Sequence, residues 1–209
     1  MSDPCLRSGY FETGTDLTRL FDNVQLMMPG VTTDVAAVSI WNAIEDFYMR
    51  STYRREHVYW RLDPCETVIN FDPYDKGWRV CRFLGFSGLS QPKFVPPGTI
   101  IDLSCPPPDS QRDGEALLAL KPKSFDTELP YDVMTTYWET ILHGALFRLY
   151  TQPGKPYSDL KAAELSGRLN RSGIASARAD AQTRHWRDGR SWSFPYFARG
   201  GRANGRSGL

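Results

Sequence analysis

LPYDVMTTYWETILHGALFRLYTQPGKPYSD, residues 129–159, is the stretch whose reading decides the fold. Met134, Trp138, Ile141, Ala145, Leu146 and Leu149 recur at three- and four-residue spacing, the pattern of one buried helical face. Pro130 suits a first helical turn, where its missing N–H costs nothing. Gly144 falls mid-helix, where glycine costs about 1 kcal/mol against alanine. Close approach of another element at Gly144-Ala145 would account for it; plain tolerance of the glycine is the alternative. Pro153-Gly154-Lys155-Pro156 stops this helix, because no helix runs through that tetrapeptide. Ser158 then offers an N-cap for the next one, with Asp159 in its first turn.

Working outward toward the N-terminus, residues 1–15 are rich in Gly, Ser and Thr and read as an arm. A first helix is expected from Asp16 to about Met27, with Leu17, Leu20, Phe21, Val24 and Met27 on one side and Pro29-Gly30 closing it. Thr32, Thr33 and Asp34 offer capping oxygens for a second helix, which runs to about Ser51. Its apolar stripe is Ala37, Ile40, Trp41, Ile44, Phe47 and Tyr48, with Asn42, Glu45 and Asp46 on the wet face. This helix should pack on the one from Leu129 to Tyr150.

From Arg55 the period changes to two. His57–Leu62, Glu66–Phe71, Trp78–Phe86, Thr99–Leu103 and Glu115–Leu120 read as five strands, the last with a short helix as its alternative. Asp72–Gly77 is turn chemistry, and Gly85 marks a bulge or an end. Ser87–Gly98 reads as a long Pro-rich connection and Cys105–Gly114 as an exposed loop. The fold class that follows is α+β. A bundle of three to four helices (16–54 and 126–187) carries an inserted antiparallel sandwich or sheet (55–125) and an extended C-terminal arm (188–209).

The last helix is expected from Ser158 to about Trp186, bent at Gly167 and Gly173. Ala162, Leu165, Leu169, Ser176 and Ala177 line its inner side, with Ile174 and Ala181 beside them. Beyond Ile174 the residues are small, so each turn buries little area. That half is expected to project or to pack on a neighbouring subunit.

The net charge of +1 calls for no global nucleic-acid field. Residues 171–209, however, hold eight arginines against two acids. Arg178, Arg184, Arg187 and Arg190 are spaced to meet phosphates or the acids of a protein partner. Trp186, Trp192, Phe194, Tyr196, Phe197 and Arg199 belong to a segment that holds no core of its own and so points to a partner. A disordered tail and a single-strand-binding tail are the other readings of the same residues.

The rest of the chain offers little chemistry. Cys5, Cys65, Cys81 and Cys105 are far apart and read as reduced thiols of a cytoplasmically made protein. His57, His143 and His185 are scattered, with His143 read as an ordinary helical residue making a hydrogen bond. Glu45 and Asp46 point different ways on a helix. No phosphate loop, HExxH or GxSxG occurs. Neither enzyme activity nor any cofactor or metal is expected, nor a signal peptide or membrane span.

Five runs then come together. Leu118-Ala119-Leu120-Lys121-Pro122 precedes Thr127-Glu128-Leu129-Pro130. His143-Gly144-Ala145-Leu146-Phe147-Arg148-Leu149-Tyr150 leads to Gln152-Pro153-Gly154-Lys155-Pro156-Tyr157-Ser158-Asp159, and Gly173-Ile174-Ala175-Ser176-Ala177-Arg178 follows. In that order and spacing they resemble the head-to-tail adaptor (connector) proteins of tailed bacteriophages. The likeness is clearest over residues 118–178 and architectural before that. Ser166-Gly167-Arg168 departs from it, being small or charged where a bulky residue would stand.

The resemblance implies a virion protein made in the host cytoplasm and placed in the neck. It implies a homo-oligomeric ring, commonly twelvefold, bound to the portal protein above and a tail or nozzle protein below. Double-stranded DNA would pass through its channel. Trp138, Ile141, Gly144, Ala145 and Leu149 are the expected helix-packing residues. Arg178, Arg184, Trp186, Arg187, Arg190, Trp192, Phe194, Tyr196, Phe197 and Arg199 are the expected contacts to the portal or a neighbouring subunit. The other functional class is a nucleic-acid-binding protein that uses the same basic end.

Overall fold

The computed structural model describes residues 17–88, 92–95, 98–102, 109–125 and 127–187, with Pro92, Asp102 and 184–187 described by backbone alone. The N-terminal arm and residues 188–209 lie outside the described residues. The fold is α+β. Helix α1 (Thr18–Met27) and α2 (Thr33–Ser51) come first. Strands β1 (Arg54–Leu62), β2 (Val68–Asn70), β3 (Trp78–Phe86), β4 (Pro92–Val95), β5 (Thr99–Asp102) and β6 (Arg112–Pro122) follow. Helices α3 (Tyr131–Thr136), α4 (Trp138–Tyr150) and α5 (Leu160–Arg187) complete the chain.

The first two helices follow their turn residues. Gly30 takes a φ of 96°, which an L side chain resists, and the chain reverses there. The inner face of α1 is Leu17, Leu20, Phe21 and Val24 as expected, but Met28 rather than Met27 completes it. Of the three expected capping residues, Thr32 takes the N-cap position of α2 but makes no side-chain cap hydrogen bond. At the other end Thr52 is left-handed (φ 51°) and its N–H donates to Tyr48 O at 3.0 Å, closing α2 where Ser51 was expected to end it.

The strands form two three-stranded antiparallel sheets, β1-β6-β3 and β2-β5-β4. β6 is therefore the centre of the first sheet and a strand, not a short helix. It starts at Arg112, inside the segment expected as a loop. Strand β4 falls inside the segment expected as a Pro-rich connection; it opens on Pro92 yet sits on a sheet edge, where proline removes no needed hydrogen bond. The strand expected at Glu66–Phe71 shortens to Val68–Asn70, and Phe71 N donates instead to Gly98 O at 2.8 Å. β3 has register shifts at Val80/Arg82 and Phe83/Gly85, the second at the expected bulge.

Pairing register puts Val58, Trp60, Ala116, Leu118, Leu120, Val80, Phe83 and Phe86 on one face of the first sheet. Phe71, which follows β2, and Phe94 of β4 meet Phe83 there, at ring-centroid distances of 5.3 and 4.6 Å. Trp60 stacks on Phe86 at 5.0 Å and covers Gly114, where a Cβ would come within 2.6 Å of the indole. At the other end Tyr48 of α2 meets Trp78 edge-on at 5.0 Å. One buried core thus runs from α1 through both sheets to α5.

Glu45 joins the helices to the sheet. Its carboxylate accepts from Arg79 of β3 at 2.5 Å and lies 3.1 Å from the Lys121 ammonium of β6. This corrects its placement on the wet face; Asp46, one residue on, does face outward and pairs with Arg50. Burial raises the Glu45 pKa, but the hydrogen bonds and charges of Lys121 and Arg79 outweigh that and hold it below the ordinary value. Its ionised form is therefore favoured by folding. That stability is present above the unfolded carboxylate pKa and lost as pH falls through the lower, folded one. Glu45→Gln is expected to lose roughly 1 kcal/mol at neutral pH. The gap to wild type should close as pH falls below the ordinary carboxylate range, read from urea midpoints across pH.

Candidate functional site

The candidate site is built on α4, α5 and the turn between them. The expected single helix from Leu129 is broken: α3 ends at Thr136, and Tyr137 leaves the helical region (φ −116°, ψ 10°). Thr135 contributes by donating its hydroxyl to the carbonyls of Tyr131 and Asp132 at 3.0 and 3.2 Å, the back-bonding that bends helices. The break turns Tyr137 inward, where it is 5% exposed and its hydroxyl donates to Asp180 of α5.

After Tyr150 the chain reverses on Gly154 (φ 71°), and Tyr157 Oη donates to Gln152 Oε1 at 2.8 Å across the turn. The cap of α5 is Asp159, not Ser158: Asp159 Oδ1 accepts from the Lys161 and Ala162 N–H groups at 2.9 and 3.1 Å. Ser158 faces back and donates to Tyr150 O at 3.3 Å.

The inward face of α5 is Ala163, Ser166, Gly167, Asn170, Ile174, Ala177 and Ala181. This corrects the expected stripe. Ala177, Ile174 and Ala181 are inside, but Ala162 is only half-buried, Ser176 is exposed, and Leu165 and Leu169 are 58% and 42% exposed. The reason is helix separation. A Cβ on Gly144 would lie 2.7 Å from Asn170 Nδ2 and 3.1 Å from Ala43 Cβ. A Cβ on Gly167 would lie 2.9 Å from the Phe147 ring, and one on Gly173 would overlap Thr140. α2, α4 and α5 approach too closely for leucine, so small residues take the seam and the leucines turn out. Gly167 and Gly173 therefore serve contact rather than bending. Asn170 Nδ2 donates to Thr140 O at 2.9 Å within this seam, a buried bond the apolar pattern could not reveal.

Of the expected packing residues, Ile141, Ala145 and Leu149 are buried, and Gly144 is the close-approach point. Trp138 is half-buried under the Arg19 guanidinium, 3.6 Å from its ring centroid. The second half of α5, through Ala181, lies on its own chain rather than projecting, because alanine and glycine let it approach α4.

Outside this seam, Leu160, Leu165, Leu169 and Phe147 are exposed. Arg168 pairs with Glu164 at 3.2 Å, both strongly exposed. Arg178 is exposed. Burial holds the Arg55 guanidinium below its usual range, and the charge of Arg178 adds to that. Arg184, Trp186 and Arg187 continue α5 as backbone. Arg190, Trp192, Phe194, Tyr196, Phe197 and Arg199 lie outside the described residues.

His57 is in β1, His143 in α4 and His185 in α5. Burial lowers the His143 pKa, partly offset by Glu139. The hydrogen bond expected of His143 is absent at its buried Nδ1 among the described residues. Cys65 and Cys81 are free thiols, and burial pushes the Cys81 thiol up. Cys5 and Cys105 lie outside the described residues. Among the described residues no helix is long and apolar enough to cross a membrane. The arrangement offers surfaces for other macromolecules: an apolar outer helix face with cations along it. No protein-family model matches this chain, and no curated protein matches it.

Proposed function

We propose that this chain is a structural virion protein, a head-to-tail adaptor that forms a ring beneath the portal of a tailed bacteriophage and encloses the DNA channel. The observation that carries the reading is the two-faced last helix. Its small residues are used up on its own chain, and Leu165 and Leu169 are left exposed on the outer side. A helix with an inner and an outer apolar face suits a protein completed by neighbours. The run of motifs from Leu118 to Arg178 and the order of elements around an inserted pair of sheets add to it. The basic aromatic end, Arg184 to Arg199, is assigned to the portal as a protein-binding segment that continues from α5.

Negative-stain images of the purified protein, alone and mixed with portal rings, test the reading. Rings of this chain, or rings completed on the portal, are expected. Deleting residues 188–209 should abolish portal capture while leaving the fold intact; undiminished capture removes the role of the arm. The alternative is nucleic-acid binding through the basic end. Arg171 and Arg178, which have no ion-pair partner among the described residues, favour it. Phosphate binding would weaken log-linearly with salt, which portal capture by aromatic residues would not.

A further inference from the structure

Two exposed patches on this chain have opposite chemistry. The first runs along the outside of α5. Lys161, Leu165, Arg168, Leu169 and Ser172 follow one another at four, three or four, and three residues, so they share one side of the helix. All five are exposed. The second patch is at the α1–α2 corner. Leu26 and Met27 are 81% and 48% exposed at the end of α1, and Val38 is 56% exposed on α2. Each helix carries an acid one turn before its apolar residue: Asp22 before Leu26, and Asp34 before Val38.

The acids of the corner are not neutralised locally. Arg19, the cation of α1, lies over the Trp138 ring. Arg50, the cation of α2, pairs with Asp46. Asp22 and Asp34 are both exposed and have no ion-pair partner among the described residues. On α5, Lys161 has no ion-pair partner among the described residues, and Arg168 holds only the exposed Glu164, a pair that a partner carboxylate replaces at little cost; the leucine pair beside them matches the Leu26, Met27 and Val38 patch flanked by carboxylates.

We propose, resting on the ring reading above, that the outer face of α5 in one copy docks on the α1–α2 corner of the next. The contact is heterologous: each copy keeps one free patch of each kind. Copies add head to tail until the rotation closes into a ring. Leu165 and Leu169 of one copy cover Leu26, Met27 and Val38 of its neighbour. Lys161 and Arg168 face Asp22 and Asp34, which sets the register.

A charge-swap cycle tests this on the full-length protein, with self-association followed by analytical ultracentrifugation. Lys161→Glu with Arg168→Glu is the helix variant, and Asp22→Lys with Asp34→Lys is the corner variant. All four sites are exposed, so melting temperatures should stay close to wild type. Each variant alone is expected to weaken association by about tenfold or more. Both sets combined in one chain should restore association to near wild type, which a folding defect could not do. Loss in each variant without restoration in the combined chain overturns the pairing. Wild-type rings indifferent to both swaps overturn the assignment of faces and leave the adaptor reading standing. A wild-type chain that stays monomeric at every concentration overturns the self-contact, and portal capture, measured separately, then decides the adaptor reading. A helix variant that keeps self-association but loses portal capture gives the α5 face to the portal and overturns the proposal.

Discussion

Phe47→Ala is expected to lower the stability of this protein by about 3–5 kcal/mol, the largest loss of any single truncation considered. Phe47 is fully buried on α2. Its ring meets Tyr48, Tyr53 and Tyr137 at centroid distances of 5.4, 6.1 and 5.6 Å. Two of these partners are tied down beyond it. Tyr53 donates to Asp132 at 2.8 Å, and Tyr137 donates to Asp180 of α5. The ring therefore stands where α2, the entry to β1, the α3–α4 break and α5 converge. Neighbours held by hydrogen bonds cannot collapse into the space left by a phenyl ring, so the cavity term adds to the lost transfer free energy. Urea denaturation followed by circular dichroism measures it. A loss under about 1 kcal/mol would mean that the cluster relaxes freely and does not hold the helices together.

Gly144→Leu is expected to cost more than about 3 kcal/mol, and Gly144→Ala about 0–2 kcal/mol, both through the same seam. Alanine recovers about 1 kcal/mol of helix propensity but places its methyl against Asn170 Nδ2 and Ala43 Cβ. The amide cannot simply swing aside, because its bond to Thr140 O is buried and would be left unmade. Leucine adds three more carbons between helices already in contact. Thermal melts give the ranking. The informative measurement is the double variant Gly144→Ala with Asn170→Ala. If the clash is with the amide, the two changes together should destabilise less than their sum. Additive losses would place the strain elsewhere.

This seam also separates what periodicity could reveal from what it could not. Gly144 declared itself because a glycine in mid-helix needs a reason, and the reason proved to be Asn170 and Ala43. Asn170 itself gave no signal, since one polar residue in a polar-looking helix is unremarkable by pattern. The break at Tyr137 was equally hidden, because Thr135, Thr136 and Tyr137 are each acceptable in a helix. It is the Tyr137 side chain, drawn into the aromatic cluster and onto Asp180, that accompanies the turn. Glu45 looked like a solvated acid from α2 alone; its partners Arg79 and Lys121 lie 34 and 76 positions later, out of reach of any local reading.

The amino-acid sequence by itself determined the helical segments apart from the break at Tyr137, five of the six strands, the turns at Pro29-Gly30 and Pro153-Gly154-Lys155-Pro156, and the placing of antiparallel strands between two helical segments. These rest on backbone chemistry and short-range period, which act within a few residues. Only the tertiary structure decided that β6 is the central strand, that β4 exists, and that α5 turns Leu165 and Leu169 outward. A hydrophobic period says that a helix has a preferred face; it cannot say how near the neighbour will come. Where that neighbour is a second helix at glycine distance, volume overrules hydrophobicity, and the small residues go inside.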